Sequence, residues 1–411
     1  MRAYIGCCEQ RSLRIDLDEI GIGDALGTDY FHLREQMTAQ QADYLARTRE
    51  FVRTEVHPII IDYWERAEFP WPLIEKLGPV GIIGDGIVGY GCPDMDPMSA
   101  GLIAMEMTRG DGSMGTFLVV HGGLAMKSIF MLGSEEQKQK WLPPMARLEK
   151  IGAFALTEPD HGSDSVALET SARRDGDSYV INGAKKWIGN GTIADVVVVW
   201  ARDVEDGQVK GFLVEKGTPG YHARKIEHKV PLRAVWQAEI ALDEMRVPAE
   251  NKLPGANTFK DTAKILVGTR LSCAWGALGS AVGGFDAALS YAKGRKQFGK
   301  PLAGHQIIQQ RLVKMLADVT AMQLYCLQMT RLAEQNRLGD TLAGLGKFHN
   351  TTRARAVLAE ARDLLGGNGI LLDYQVIKHM VDLEAIHTFE GTETIQALIV
   401  GRDITGISAF A

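Results

Sequence analysis

The chain has 411 residues, 45% of them hydrophobic and 23% charged, and 45 Lys plus Arg stand against 51 Asp plus Glu for a formal net charge of -6. That length exceeds what one hydrophobic core serves, so two or three packed units are expected, and the composition is too apolar for a disordered chain. The mild acidity excludes a global electrostatic grip on nucleic acid or on an anionic membrane, so any phosphate must be held locally.

Residues 1–37 read as an N-terminal extension, and no apolar h-region follows the first Met. No stretch approaches the roughly 18 uninterrupted apolar residues of a membrane helix, and the end Ser-Ala-Phe-Ala is not a peroxisomal tripeptide. A cytoplasmic protein without membrane or nucleic-acid partners is expected. From 38 to 150 the pattern is helical, with Glu and Arg interleaved among apolar residues at 39–67 and again at 99–108. Gly84, Gly86 and Gly89 have the GxGxxG spacing of a dinucleotide loop, but Cys92-Pro93 and Asp96-Pro97 break the helix that such a loop must open. An ordinary loop between helices is the better reading.

Between 151 and 255 the texture turns to β. Residues 178–181, the pair Asn182-Gly183 and residues 184–188 read as strand, hairpin turn and strand. The Val-rich run 195–201 fits a buried strand, and 211–214 with 221–226 continues the β character. From 256 to 411, long amphipathic segments at 261–293, 305–337, 342–365 and 394–402 read as a helical bundle. The fold class is therefore α+β. Cys7, Cys8, Cys92, Cys273 and Cys326 are scattered without metal-ligand spacing, so reduced thiols and no metal site are expected.

Five segments could carry chemistry. Residues 155–164, ALTEPDHGSD, join a strand end to a loop rich in hydroxyls, glycine and carboxylates, fit either for a polar ring edge or phosphate or for a simple capped turn. Trp187 at a strand end, before the pair Gly189-Asn190 read as exposed and flexible, is either core or a flat wall against a planar cofactor. Arg295, Gln297 and Phe298 follow one long helix and Gln306 opens the next, where an Arg suits a phosphate or plain solvent. Gly366, Gly367 and Gly369 close a helix with more glycine than a cap requires. Glu390, between Phe389 and Gly391, is either a partly desolvated base or a helix-start acid.

In this order the segments resemble the acyl-CoA dehydrogenase and acyl-CoA oxidase superfamily, from about residue 38 to 410. The resemblance implies a helical domain, a small β-barrel-like domain and a C-terminal four-helix bundle, one FAD per subunit and usually a homotetramer. It further implies α,β-dehydrogenation of an acyl-CoA, with electrons passed to an electron-transfer flavoprotein. Position by position it implies flavin contacts at Phe154, Leu156, Thr157, Trp187, Ile188 and Gly189, and a reach into a neighbouring subunit's FAD by Arg295, Gln297, Phe298 and Gln306. Gly366, Gly367 and Gly369 match an adenosine-side turn and Thr392 an FAD-contacting threonine. Ser163 matches a serine near the CoA arm, Arg270 and Gly391 fall beside the thioester, and Glu390 matches the catalytic glutamate. Some members carry their base just before the arginine matched by Arg270, where this chain has Thr269, so Glu390 is the expected base.

Gly189 stands where many members have a hydroxyl near flavin N5, and the Trp-Ile-Gly-Asn run is similar to that of plant short-chain acyl-CoA oxidases. An oxidase passing electrons to oxygen and a non-catalytic FAD- or CoA-binding scaffold are the alternatives. Residues 383–406 also resemble glutaryl-CoA dehydrogenase, but the arginine that anchors its substrate's distal carboxylate is matched here by Gly115. A neutral, short or branched acyl chain is therefore expected.

Overall fold

The computed structural model describes residues 29–410. Cys7, Cys8 and most of the N-terminal extension lie outside the described residues. Helices α1 (Ala39–Phe51), α2 (Ile60–Arg66), α3 (Trp71–Leu77), α4 (Pro97–Gly110), α5 (Gly112–Leu118), α6 (Lys127–Leu132) and α7 (Glu135–Ala146) build the first part. Their starts are written locally: Thr38 and Ser134 form capping boxes with Gln41 and Gln137, and Asp96 caps α4 ahead of Pro97. The glycine-rich segment 81–91 is a loop between helices, as the prolines that follow it, Pro93 and Pro97, required. Gly84, at φ 104°, packs so closely that a Cβ would lie 2.6 Å from Cys92 Sγ.

Between α5 and α6 the helix widens into a π-helical stretch, Val119–Met126. The whole run Gly112–Leu132 and the later Phe259–Gly294 are long and apolar enough to cross a membrane by length and composition, yet both are mostly buried inside the fold. Glycines and hydroxyls interrupt these runs, so no unbroken apolar stretch shows in the sequence. Their apolarity is that of helices packed on several sides.

A seven-stranded sheet follows: β1 (Gly152–Ala155), β2 (Ser171–Asp175), β3 (Ser178–Gly189), β4 (Val196–Asp203), β5 (Val209–Glu215), β6 (Tyr221–Lys225) and β7 (Gln237–Pro248). Its order is β1-β4-β2-β3-β7-β6, with β5 also on β4. The Val-rich β4 is buried along almost its whole length, parallel to β1 and β2 and antiparallel to β5. Asn182-Gly183 does not make the expected hairpin. It lies inside β3 at a bulge, where the register on β7 slips between Ile181 and Gly183, and the turn comes earlier, at Gly176-Asp177 between β2 and β3. Gly183 is needed there because a Cβ would collide with the Thr170 backbone, at 2.7 Å from its Cα.

The last part comprises α8 (Phe259–Gly294), the short hairpin β8 (Lys296–Gln297) and β9 (Lys300–Pro301), then α9 (Gln306–Glu334), α10 (Asp340–Leu364), α11 (Val376–Thr388) and α12 (Glu393–Thr405). The four expected helices are present and α11 is a fifth. Helix α8 packs against α4, α9, α10 and α11, so it joins the two helical parts. A buried ionic cluster fixes α11: Lys378 Nζ bonds Asp111 and, at 3.0 Å, Asp382. Asp382 also accepts from Trp64 Nε1 at 3.0 Å and from the Leu232 amide at 2.5 Å. Such a network is stable only when fully satisfied, and it locks α2, α5, the β region and α11 together.

Candidate active site

Glu390 sits in the reversal between α11 and α12, where Glu390 (φ 56°) and Gly391 (φ 82°) are both left-handed. A non-glycine residue there is strained and persists only when its surroundings hold it. Here Gln396 Nε2 donates to the carbonyls of Glu390 and Gly391, both at 3.0 Å. Lys347 Nζ, fully buried on α10, donates to Gly391 O at 2.7 Å and His387 O at 3.3 Å. A Cβ on Gly391 would come within 2.5 Å of Gln396 Nε2, so only glycine leaves that amide in place. The reversal turns the Glu390 side chain onto α8, where Oε2 accepts from Thr269 Oγ1 at 2.7 Å. Burial raises the carboxyl above its ordinary range, while the Thr269 hydrogen bond and the charges of Lys347 and Arg270 pull it partly back. Glu390 is thus no helix-start acid: Thr392 caps α12, accepting from the Ile395 amide at 3.3 Å, and Glu393 occupies the first turn.

Across Gly123 from Thr269 lies a cavity. Its empty space, open mouth and adjoining solvent included, is ≈ 420 Å³. Ile82, Ile83, Met95, Ile103, Leu118 and Val119 give it an apolar wall, and Gly122 and Gly123 of the π-helical stretch form another side. A Cβ on Gly123 would lie 3.6 Å from Thr269 Cγ2, so this wall reaches the residue that holds the Glu390 carboxylate. Gly115 has no room for a side chain, because a Cβ would run into Thr108 Oγ1.

The sheet presents a second surface. Phe154, Leu156 and Ile188 are buried, whereas Trp187 is 54% exposed at φ 64°. The cause is a register shift of β3 on β7 between Lys185 and Ile188, which turns the indole out of the core. Gly189 is buried and a Cβ on it would lie 2.9 Å from Val120 Cγ2. Asn190, expected to be exposed, is buried instead, its amide donating to Gly152 O at 3.2 Å. In the loop after β1, Glu158 is structural: it accepts from the amides of Glu169 (2.7 Å) and Thr170 (2.9 Å) and from Lys185 Nζ (2.8 Å). Thr157 is half-buried and Ser163 exposed. Arg270 bonds Asp340 Oδ1 at 2.8 Å, and its buried Nε has no partner among the described residues.

Two predicted groups stand apart from this site. Arg295, Gln297 and Gln306 are exposed around the β8–β9 hairpin, and Phe298 at its tip is 94% exposed. This corner lies at the opposite end of α8 from Thr269, ~38 Å along the axis at ~1.5 Å per residue. It lies too far along α8 to touch Glu390 of the same chain. Gly366 (φ 60°) and Gly367 face open space, whereas Gly369 is fixed by packing against the Arg362 carbonyl.

The three family models for the N-terminal, middle and C-terminal domains of acyl-CoA dehydrogenase match residues 38–149, 153–245 and 259–405. The chain belongs to the acyl-CoA dehydrogenase family. It is accordingly an oxidoreductase of the class acting on CH–CH donors. A short-chain specific acyl-CoA dehydrogenase of Clostridium acetobutylicum is 36% identical over 92% of this chain and 99% of that protein. A glutaryl-CoA dehydrogenase of Mycobacterium smegmatis, solved with FADH2, superposes with a TM-score of 0.91 at 38% identity over 93% of this chain and 98% of its own. A chain in a structure of the electron transferring flavoprotein of Acidaminococcus fermentans gives 0.86 at 31% identity, covering 90% of this chain and 98% of that one.

Of the residues that shape the reversal around Glu390, the sequence reading missed Lys347 and Gln396. A lysine and a glutamine within helices carry no local mark of a role, and only the reversal at Glu390 and Gly391 explains them.

Proposed function

We propose that this chain oxidises a short, neutral acyl-CoA to its trans-2-enoyl-CoA, with Glu390 as the base that removes the α-proton. The carrying observation is the Glu390 carboxylate itself, with its raised pKa, held by Thr269, whose methyl group faces Gly123 in the wall of an apolar cavity. A thioester α-proton is weakly acidic, and a carboxylate made more basic by burial is the better acceptor for it. Oriented by Thr269 and by the pinned carbonyls of Glu390 and Gly391, the carboxylate starts close to its working position.

The exposed, flat Trp187, the half-buried Thr157 with no other side-chain partner among the described residues, and the strand end Phe154, Leu156, Ile188 and Gly189 fit a planar ring with a polar edge. They would hold FAD there, which when bound supplies the acceptor for the β-hydride. Gly366, Gly367 and Thr392 would add contacts to FAD, and Arg295, Gln297, Phe298 and Gln306 would reach the FAD of a neighbouring subunit in a homotetramer. The ~38 Å along α8 is what requires a neighbour. Ser163 would meet the CoA arm, and Arg270 and Gly391 the thioester. The likeness to a chain in an electron transferring flavoprotein structure supports such a protein as electron acceptor, and a cytoplasmic setting fits it.

The test is anaerobic mixing with butyryl-CoA while the flavin absorbance is followed. Wild type should bleach, and Glu390→Gln should retain FAD yet bleach about a thousandfold more slowly. Colour should return on adding an electron-transfer flavoprotein. Undiminished bleaching in the variant would sink Glu390 as base, and rapid recovery in air with peroxide would make oxygen the acceptor.

A further inference from the structure

The cavity beside Thr269 is apolar except at one place. Among its lining residues Asp85 is the one charged side chain, and Ser272 is the one hydroxyl. Ser272 Oγ turns back to Gly268 O at 3.4 Å, as helix serines do. The Asp85 carboxylate is half-buried and makes no hydrogen bond or ion pair among the described residues. The nearest cation is committed elsewhere: Lys127 Nζ donates to the backbone carbonyls of Asp85 and Gly86, both at 3.1 Å. Those two bonds fix the loop rather than neutralise the acid. Burial pushes the Asp85 carboxyl above its ordinary value, and the charge of Lys127 only partly opposes this.

Asp85 also stands near the chemistry. A Cβ on Gly122 would lie 3.7 Å from the Gly84 amide nitrogen, and the next residue, Gly123, faces Thr269. The Asp85 loop therefore packs on the same glycine pair that faces Thr269, the residue bonded to Glu390. No cation can be supplied from Gly115, where Thr108 fills the space.

Building on the acyl-CoA reading above, we infer that Asp85 determines specificity: it makes the cavity accept acyl tails that are apolar or end in a hydrogen-bond donor, and refuse tails that end in an anion. A second carboxylate beside Asp85 must either face a like charge in an apolar enclosure or take up a proton, and both are unfavourable. A terminal hydroxyl gives Asp85 the donor it lacks. Specificity then comes from a repulsive element as much as from the apolar fit. The overall likeness to a glutaryl-CoA dehydrogenase does not carry the preference for an anionic tail, because that preference resides in the lining.

Three five-carbon thioesters that differ only at the tail decide the matter: valeryl-CoA, 5-hydroxyvaleryl-CoA and glutaryl-CoA, each with wild type and with Asp85→Asn, read as kcat/KM for anaerobic flavin bleaching. In wild type the first two should react and 5-hydroxyvaleryl-CoA should at least equal valeryl-CoA, with glutaryl-CoA far behind. In Asp85→Asn the glutaryl-to-valeryl ratio should rise about tenfold or more. Asp85→Ala should shift the ratio the same way, which separates loss of charge from any effect of the asparagine. Bleaching by valeryl-CoA with an unchanged ratio overturns the role of Asp85 alone. Wild type oxidising glutaryl-CoA as fast as valeryl-CoA does the same. Failure of all three thioesters to bleach wild type removes the acyl-CoA reading together with this one.

Discussion

Asp286 on α8 offers a test of the buried polar interior that α8 shares with α4. Its carboxyl is buried, with Oδ2 3.6 Å from Arg109 Nη1 and no hydrogen-bond partner for that oxygen among the described residues. Arg109 is occupied by Glu106, which also pairs with Arg49. Burial pushes Asp286 from 3.8 up to about 7, with Arg109 acting against the rise. A folded pKa above the unfolded one means that the folded state favours the proton. The associated stability is complete below the unfolded value near 3.8 and is lost as pH rises through about 7. At 1.36 kcal/mol per pKa unit the loss between pH 5 and pH 8 is about 3 kcal/mol. Asp286→Asn cannot ionise, so its advantage over wild type should grow by about that amount over this interval. Thermal melts of the holoenzyme at pH 5, 6, 7 and 8 measure it. A difference independent of pH, or one that favours wild type at pH 8, would refute a buried, poorly compensated Asp286.

Lys347→Met should move the acid limb of the pH–rate profile for flavin bleaching to higher pH. Without the nearby cation the Glu390 carboxylate is less stable, its pKa rises, and the base form appears later. The same variant strips donors from the carbonyls of Gly391 and His387 and should cost about 2–4 kcal/mol in denaturant unfolding; an unchanged acid limb would remove Lys347 from the site. Phe298→Asp should lower the oligomeric order seen by light scattering and weaken FAD retention, while the far-UV spectrum stays unchanged. A tetramer with full flavin would place that hairpin outside the interface.

The sequence was most informative where a local pattern and its tertiary role coincide. The Val-rich β4 has no polar face, so its burial on both sides could be read directly. Glu390 was conspicuous between Phe389 and Gly391 because a carboxylate there lies in no helix face. Where one residue serves two possible geometries, the pattern misled. Asn182-Gly183 suits a two-residue turn and equally a bulge, and the partner strand decided for the bulge. That partner, β7, escaped notice because its alternation is broken at Asp243 and Glu244, where Glu244 takes φ 43°, so Ile240 and Leu242 fall out of phase with Met245 and Val247. Asn190 looked exposed beside glycine, but its amide is spent on β1. Trp187 could be read either way, and the register slip that exposes it arises from pairing, which spacing along one strand does not encode.

The 2.7 Å contact between Thr269 Oγ1 and Glu390 Oε2 joins two positions 121 residues apart in the chain. One rides on a long, rigid helix and the other on a strained reversal, yet their side chains converge on one point beside the cavity. On the proposal that Glu390 is the base, the place at which a proton is accepted is set jointly by both elements, and either of them could carry a carboxylate to it. A lineage could transfer the acid from one segment to the other through a pair of substitutions, leaving the reacting geometry in place while changing which part of the molecule must move to release it.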